Sequence, residues 1–456
     1  MEGRPLFYSV VRWVVLMWIC GGPGRADVVA SPLYDKDPGH LWNRLHAALT
    51  MRAPEGKVQP PDLLDPQSRE VFLSGPVNTE TVALLREFLK SNSKALGMSD
   101  LQHAVMQWDL LAIFHLMVAS DGLSEPRNPD KGWAVPEREL VGALAQAIRH
   151  VALSAEAIRK LPDNYSTAAH ARDVATAYDH EKPGPFLPKD LLAENGPWIA
   201  LGTTEGTNGS VASFHFGMFR GRSSFEVLMR HPEGRAAGQV YLKELASLPK
   251  PWVMEKPADL DPLLDRPSAP WPNPATPQFP VGTMWALVRR SILVDSAGHP
   301  FVSPIVESVQ IRVYRALSRK DALDSPEFQA QRKIIEQEKR EEDFDDLLAQ
   351  RYQTAFEWEM QRSLLLGGGG FHLTQPEDLR YSRFMPSEPR PVASFCVQCH
   401  AAPGIHSVNS RSRLFGVQLA RPPEFFSTTR EALDRNTLYA SRQLPGWALL
   451  EWLWDK

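Results

Sequence analysis

The run Gly282 to Val294, GTMWALVRRSILV, leads into Asp295-Ser296-Ala297-Gly298, and Ile305 to Leu317, IVESVQIRVYRAL, follows. Two apolar, β-rich runs on either side of a turn-forming cluster predict a hairpin or a pair of neighbouring strands, with a loop reaching as far as Pro304. Upstream, Trp198 to Leu201, Val211 to Phe216 and Ser224 to Met229 read as further strands separated by Gly, Asn and Thr, and Ala237 to Leu245 (AGQVYLKEL) as another. Between these and the hairpin, residues 249–280 hold ten prolines in 32 positions. Proline lacks the backbone donor that helices and inner strands need, so this stretch is expected to be an extended surface arm. Together these segments define a β-containing region over residues 191–318.

The flanks have a different period. From 27 to 190 the pattern is helical. An amphipathic stretch opens at Leu41. Thr79 to Lys90 repeats apolar residues every three or four positions, with Asn78 as the expected cap, and Asp100 to Val118 is apolar on more than one face, as a central core helix is. Pro136 stands where a helix accepts proline, in its first turn. Downstream, 319–370 is expected to be a charged helix, its runs Gln329–Arg340 and Phe344–Leu366 ending at Gly367-Gly368-Gly369-Gly370. Those four glycines form a joint rather than a phosphate cradle, since no lysine follows in P-loop spacing. The acidic residues Glu341, Glu342, Asp343, Asp345 and Asp346 are read as a solvated face. The expectation is an α+β chain: helical first, β-containing in the middle, and small, mostly α or irregular in a C-terminal segment over 371–456.

The chain has 456 residues, 43% of them hydrophobic, and a formal net charge of −4. Its length predicts two or three domains, and the faintly acidic balance argues against nucleic acid as a partner. Arg4 and Arg12, the apolar run Trp13–Cys20 and the break at Gly21-Gly22-Pro23-Gly24 have the form of an export signal over residues 1–26, removed after Ala26 or Ala30. The apolar run is too short to span a bilayer, so any membrane association would not be as a spanning protein. Cys20 is either removed with the signal or lipidated. The expected location is periplasmic or otherwise exported.

Of three cysteines in the chain, two stand together in Cys396-Val397-Gln398-Cys399-His400. The pattern suits one chemistry at every position: two thiols add to the two vinyl groups of haem, and the adjacent histidine binds the iron. The motif resembles that of the c-type cytochromes. The resemblance implies one covalent haem c, held by Cys396 and Cys399 and ligated by His400, electron transfer, and a redox partner protein. It is confined to these five residues. Prolines 386, 389 and 391 forbid the helix that usually precedes the motif, and no methionine follows Met385. For the iron's other face the sequence offers Met385, no ligand at all, or His372 or His406. An open face would make a five-coordinate haem enzyme or gas sensor, and a purely structural haem in an exported binding protein is a further alternative.

Two rivals use the same thiols: a zinc site completed by histidines such as His372 and His406, and a redox C-x-x-C pair. Phe384, Phe395 and Phe415 are the expected haem neighbours. Trp447, Trp452 and Trp454, with Leu449 and Leu450, are expected to pack on the core. His115 and His215, isolated on apolar stretches, are read as ordinary core histidines. No G-x-S-x-G, H-E-x-x-H or dinucleotide-binding glycine pattern is present, which favours a carrier over an enzyme.

Overall fold

The predicted hairpin forms and stands at the middle of the fold. A computed structural model describes residues 32–455 except 53–57, 60, 62–63, 65–67, 93–95, 119–132, 204–208, 249–251, 261–263, 265–270, 327, 330–331, 334–350, 375–378, 383–384, 392–399, 401 and 410–424. Seven strands make one antiparallel sheet: β1 Trp198–Thr203, β2 Ser223–Arg230, β3 Met284–Val294, β4 Pro300–Tyr314, β5 Gln353–Met360, β6 Phe371–Thr374 and β7 Phe425–Ser427. Their order is β6-β5-β4-β3-β2-β1-β7, so six strands run as a simple meander and the last returns to the far edge. With the helices described below this is the expected α+β fold.

The hairpin loop is shorter than its composition suggests. Asp295 Oδ1 accepts from the amides of Ala297 and His299, and Gly298 takes the left-handed conformation (φ 88°), so the turn closes within five residues. Pro304 lies inside β4. It is tolerated because the register slips between Arg290/Val306 and Ile292/Val302, leaving a bulge where no ladder donor is required. There the Ser303 hydroxyl accepts from the Ile305 amide and meets Ser291 Oγ.

Three readings of single elements are corrected. Ala237–Leu245 belongs to a helix, Arg235–Ser247, whose buried residues Gly238, Tyr241, Leu242 and Leu245 recur at helical spacing. Val211–Phe216 runs into a short helix, Ser213–Met218, instead of a strand. Conversely, Gln353–Met360 is the strand β5: Phe356, Trp358 and Met360 alternate as strand residues do. Gln329–Arg340 and the acidic residues 341–346 lie mostly or wholly outside the described residues, as does the signal segment 1–26.

Helices α1 Leu41–Leu49, α2 Gly75–Lys90, α3 Asp100–Val118 and α4 Val135–His150 build the N-terminal core. Residues 103–117 of α3 are buried on every face, which explains why that helix is apolar all round. Asn78 does not cap α2. The helix starts a turn earlier, behind Ser74, and Asn78 instead donates to the carbonyls of Phe72 and Pro136. Two buried charges in this core are paired: Asp109 accepts through one oxygen from Nε of Arg362 (2.8 Å), the first residue of α7 Arg362–Leu366, and meets His46 Nδ1 (3.0 Å) through the other.

The same core takes Ile292, Leu293 and Val294 from the hairpin tip and Trp447, Leu449 and Leu450 from α10 Pro445–Asp455, which follows α9 Arg430–Gln443. Trp452 and Trp454 pack against it. Each fully buried large apolar side chain contributes about 1.5–3 kcal/mol, so this shared cluster binds the chain's end to its beginning.

Alternation along the strands divides the sheet. Met284, Ala286 and Val288 face Tyr165, Phe186 and Leu191 on one side. Trp285, Ile199 and Met229 face Tyr241 and Leu242 of α6 Arg235–Ser247, with Phe279 and Ile405, on the other. Phe279, at the end of the proline-rich arm, is therefore core. No helix among the described residues is long and apolar enough to cross a membrane.

Candidate functional site

A cavity opens on the second face of the sheet. Its volume is about 90 Å³. The floor comes from side chains two residues apart on three strands: Val227 of β2, Trp285 and Leu287 of β3, and Gln310, Arg312 and Tyr314 of β4. Strand register lines these up, pairing Val227 with Leu287, Leu287 with Gln310 and Trp285 with Arg312. The roof is His215 of α5 Ser213–Met218 on one side and His400 with Val408 on the other.

Two left-handed turns set the roof. After α5 the chain passes through Arg220 (φ 55°) and Gly221 (φ 67°) into β2. A Cβ on Gly221 would lie 2.6 Å from Leu444 Cδ1 and strain the left-handed backbone, so glycine is favoured there. Arg220 anchors the turn by donating to the His115 carbonyl at 2.7 Å. At the other side Gly404 (φ 54°) starts the turn into α8 His406–Asn409, and a Cβ there would meet Gln278 Oε1 at 2.2 Å. That same oxygen accepts from the Ile405 amide, so the proline-rich arm holds the turn.

His400 is held in a defined way. Its Nδ1 lies 2.6 Å from the Ser407 carbonyl, which can only accept, so Nδ1 carries the hydrogen. Burial first, then the Arg312 guanidinium, lower its pKa well below the usual imidazole range, against the opposing pull of the Ser407 carbonyl. A neutral ring protonated at Nδ1 has its lone pair on Nε2, the form in which histidine binds a metal. Backing groups fix the rest. Gln353 donates to the His400 carbonyl (2.5 Å) and accepts from Arg312, while the Ser407 hydroxyl meets that of Tyr314 and donates to Gly404 O.

His215 faces His400 across the cavity, with ring centroids 6.4 Å apart and planes 20° from parallel. Phe214 and Phe225 flank its ring. Its pKa is pushed down to about 4, by burial and then by Arg312, and its nitrogens make no hydrogen bond to a described residue. It is therefore no ordinary satisfied core histidine. His115 is a core residue: it is 1% exposed, its ring is tilted against that of Trp447 at 5.0 Å, and burial lowers its pKa well below 6.5.

The other sequence candidates fall as follows. Cys396 and Cys399 lie outside the described residues, as do Phe384, Phe395 and Phe415. Met385 begins the strand Met385–Pro391, paired with Leu379–Ser382 in a separate two-stranded sheet, and its side chain is outside the described part. His372 is exposed on β6 and His406 opens α8; neither lines the cavity. Among the described residues no three His, Cys, Asp or Glu side chains gather as a metal site. Sequence reasoning missed His215 and Arg312 as partners of His400, because only strand register and the turn after α5 bring them together.

The residues present suit a haem. The fit is one of chemistry: one histidine carries its hydrogen on the nitrogen facing a carbonyl, the walls are mostly apolar, and one arginine is at hand for acidic groups. Comparison with protein-family profiles, curated proteins and solved structures returned no match.

Proposed function

We propose that the chain is an exported, single-haem, c-type cytochrome-like protein that transfers electrons, with haem attached through Cys396 and Cys399 and iron bound by His400. The observation that carries the proposal is the Nδ1 hydrogen bond of His400 to the Ser407 carbonyl, directly after a C-x-x-C pair. A metal-binding histidine is oriented by such a bond through its other nitrogen, which raises its basicity. When bound, the haem supplies a one-electron redox centre. The chain's own residues do the rest. Val211, Val227, Leu287 and Phe425 keep water from the buried side, and Arg312 places a positive charge beside the site. The open mouth is where a redox partner protein would come within reach.

A second reading has its own observation. His215 lies beside His400, and with the two thiols that precede His400 in sequence these histidines would supply a Cys₂His₂ zinc donor set, which sequence spacing alone did not offer. One experiment decides between them. The full chain is produced with a cytochrome c maturation system, denatured, separated and stained for haem peroxidase activity. Colour migrating with the chain, and lost in Cys396→Ala/Cys399→Ala, is the expected result. A colourless chain carrying one equivalent of zinc overturns the haem reading.

A further inference from the structure

We infer that His215 is the second axial ligand of the iron, opposite His400, giving a six-coordinate bis-histidine site closed to small gases. The inference rests on the haem reading above and deepens it, since the sequence left that face to Met385, His372, His406 or no ligand.

The geometry of the two rings is the argument. Two imidazole nitrogens on opposite sides of one metal, each about 2.0 Å from it and about 1.2 Å from its ring centre, put the centroids about 6.3 Å apart. The separation here is 6.4 Å. A tetrahedral angle at the metal would draw the same rings to roughly 5 Å, so the spacing favours opposed ligation over a zinc-type arrangement. The rings reach this spacing from independent elements. His215 comes from α5, set by the Gly221 turn; His400 comes from the far end of the chain, held by Ser407 and Gln353. Both line one cavity, and His215 has no hydrogen bond to a described residue that a ligand would have to break. His372 and His406 do not line that cavity.

The consequence is functional. With both faces taken, the iron exchanges electrons without binding substrate, so the five-coordinate enzyme and gas-sensor readings fall. Two histidines also set a lower reduction potential than a histidine–methionine pair.

The test uses the matured holoprotein, with haem stain as the check of attachment in every variant. The wild type is expected to be low-spin when oxidised and reduced and indifferent to carbon monoxide. Its oxidised electron-spin resonance should show the rhombic low-spin signal of near-parallel imidazole planes. His215→Ala should retain stained haem, turn high-spin, bind carbon monoxide when reduced, and return to low-spin with added imidazole. His215→Met guards against loss of folding in the alanine variant: it should stay low-spin with a raised potential. The inference is overturned if stained His215→Ala protein remains low-spin and inert to carbon monoxide. It is equally overturned if stained wild type already binds carbon monoxide, or if Met385→Ala produces the change expected of His215→Ala. In each of these cases the stain shows that haem attachment stands; an unstained wild type instead overturns both.

Discussion

Two of the places where imidazole is buried beside arginine differ in what they leave unsatisfied. In the helical core, Asp109 is fully buried and both its oxygens are occupied, one by Arg362 and the other by His46, while Arg362 also lies over the Trp108 ring at 4.4 Å. That group is closed; it ties α1 to α3 and to the short helix Arg362–Leu366. On the sheet face, His400 has one nitrogen fixed and His215 has no hydrogen bond to a described residue, with an open cavity between them. Residue type alone does not distinguish the two. Most buried polar groups in a structural role are satisfied within the chain, and a binding site holds more in reserve beside an open space.

The comparison is broken most directly by removing one group from each place. Asp109→Ala leaves Arg362 as an uncompensated buried charge and is expected to cost about 3–5 kcal/mol in urea unfolding. His215→Ala, made in the Cys396→Ala/Cys399→Ala background, breaks no described hydrogen bond at a half-buried site and should cost under about 1 kcal/mol. Equal losses would mean that both places are structural.

Acidity provides the next test. His115 is buried and neutral, its pKa held well below 6.5 by burial and then by Arg222 and Arg220. The unfolded chain takes up a proton there near pH 6.5 and the folded chain does not, so this residue's penalty is absent above that pH and grows as pH falls. The slope approaches about 1.4 kcal/mol per pH unit wherever the folded ring stays neutral while the unfolded one is charged. His115→Leu should flatten the acid limb of stability against pH by that amount. An unchanged limb would show that His115 can be protonated in the folded protein.

The smallest effect sharpens the description of the cavity's support. Tyr314→Phe removes the hydroxyl that meets Ser407, at a cost of about 1 kcal/mol. A midpoint shift in urea that size, without a change in slope, is expected; no shift would remove Tyr314 from the frame that holds His400.

Much of the fold could be read from local pattern, and the failures share a cause. The hairpin announced itself through two β-rich runs and an Asp-Ser-Ala-Gly turn. Pro304 misled about its length, because a bulge that excuses a proline depends on the partner strand's register. Ala237–Leu245 was misread because Val240, 65% exposed, filled in a helical pattern and made it look continuous. Within the candidate site, His400 was legible because its chemistry sits in five consecutive residues. His215 was not, since its meaning comes from a fold that joins β2, β3 and β4 beneath it, and a lone histidine between phenylalanines carries no trace of that.

The closing strand has a consequence for the order of assembly. β1 to β6 each pair with a neighbour in sequence, so this part of the sheet can form as the chain emerges. β7 alone must travel from the C-terminal part to the open flank of β1, and it follows the 400–409 turn that completes the cavity. Until it arrives, the flank of β1 at Leu201 and Gly202 that β7 covers lies open to any passing strand. The half-built protein therefore has an adhesive margin for as long as its cavity lacks a roof, and a single late event ends both conditions.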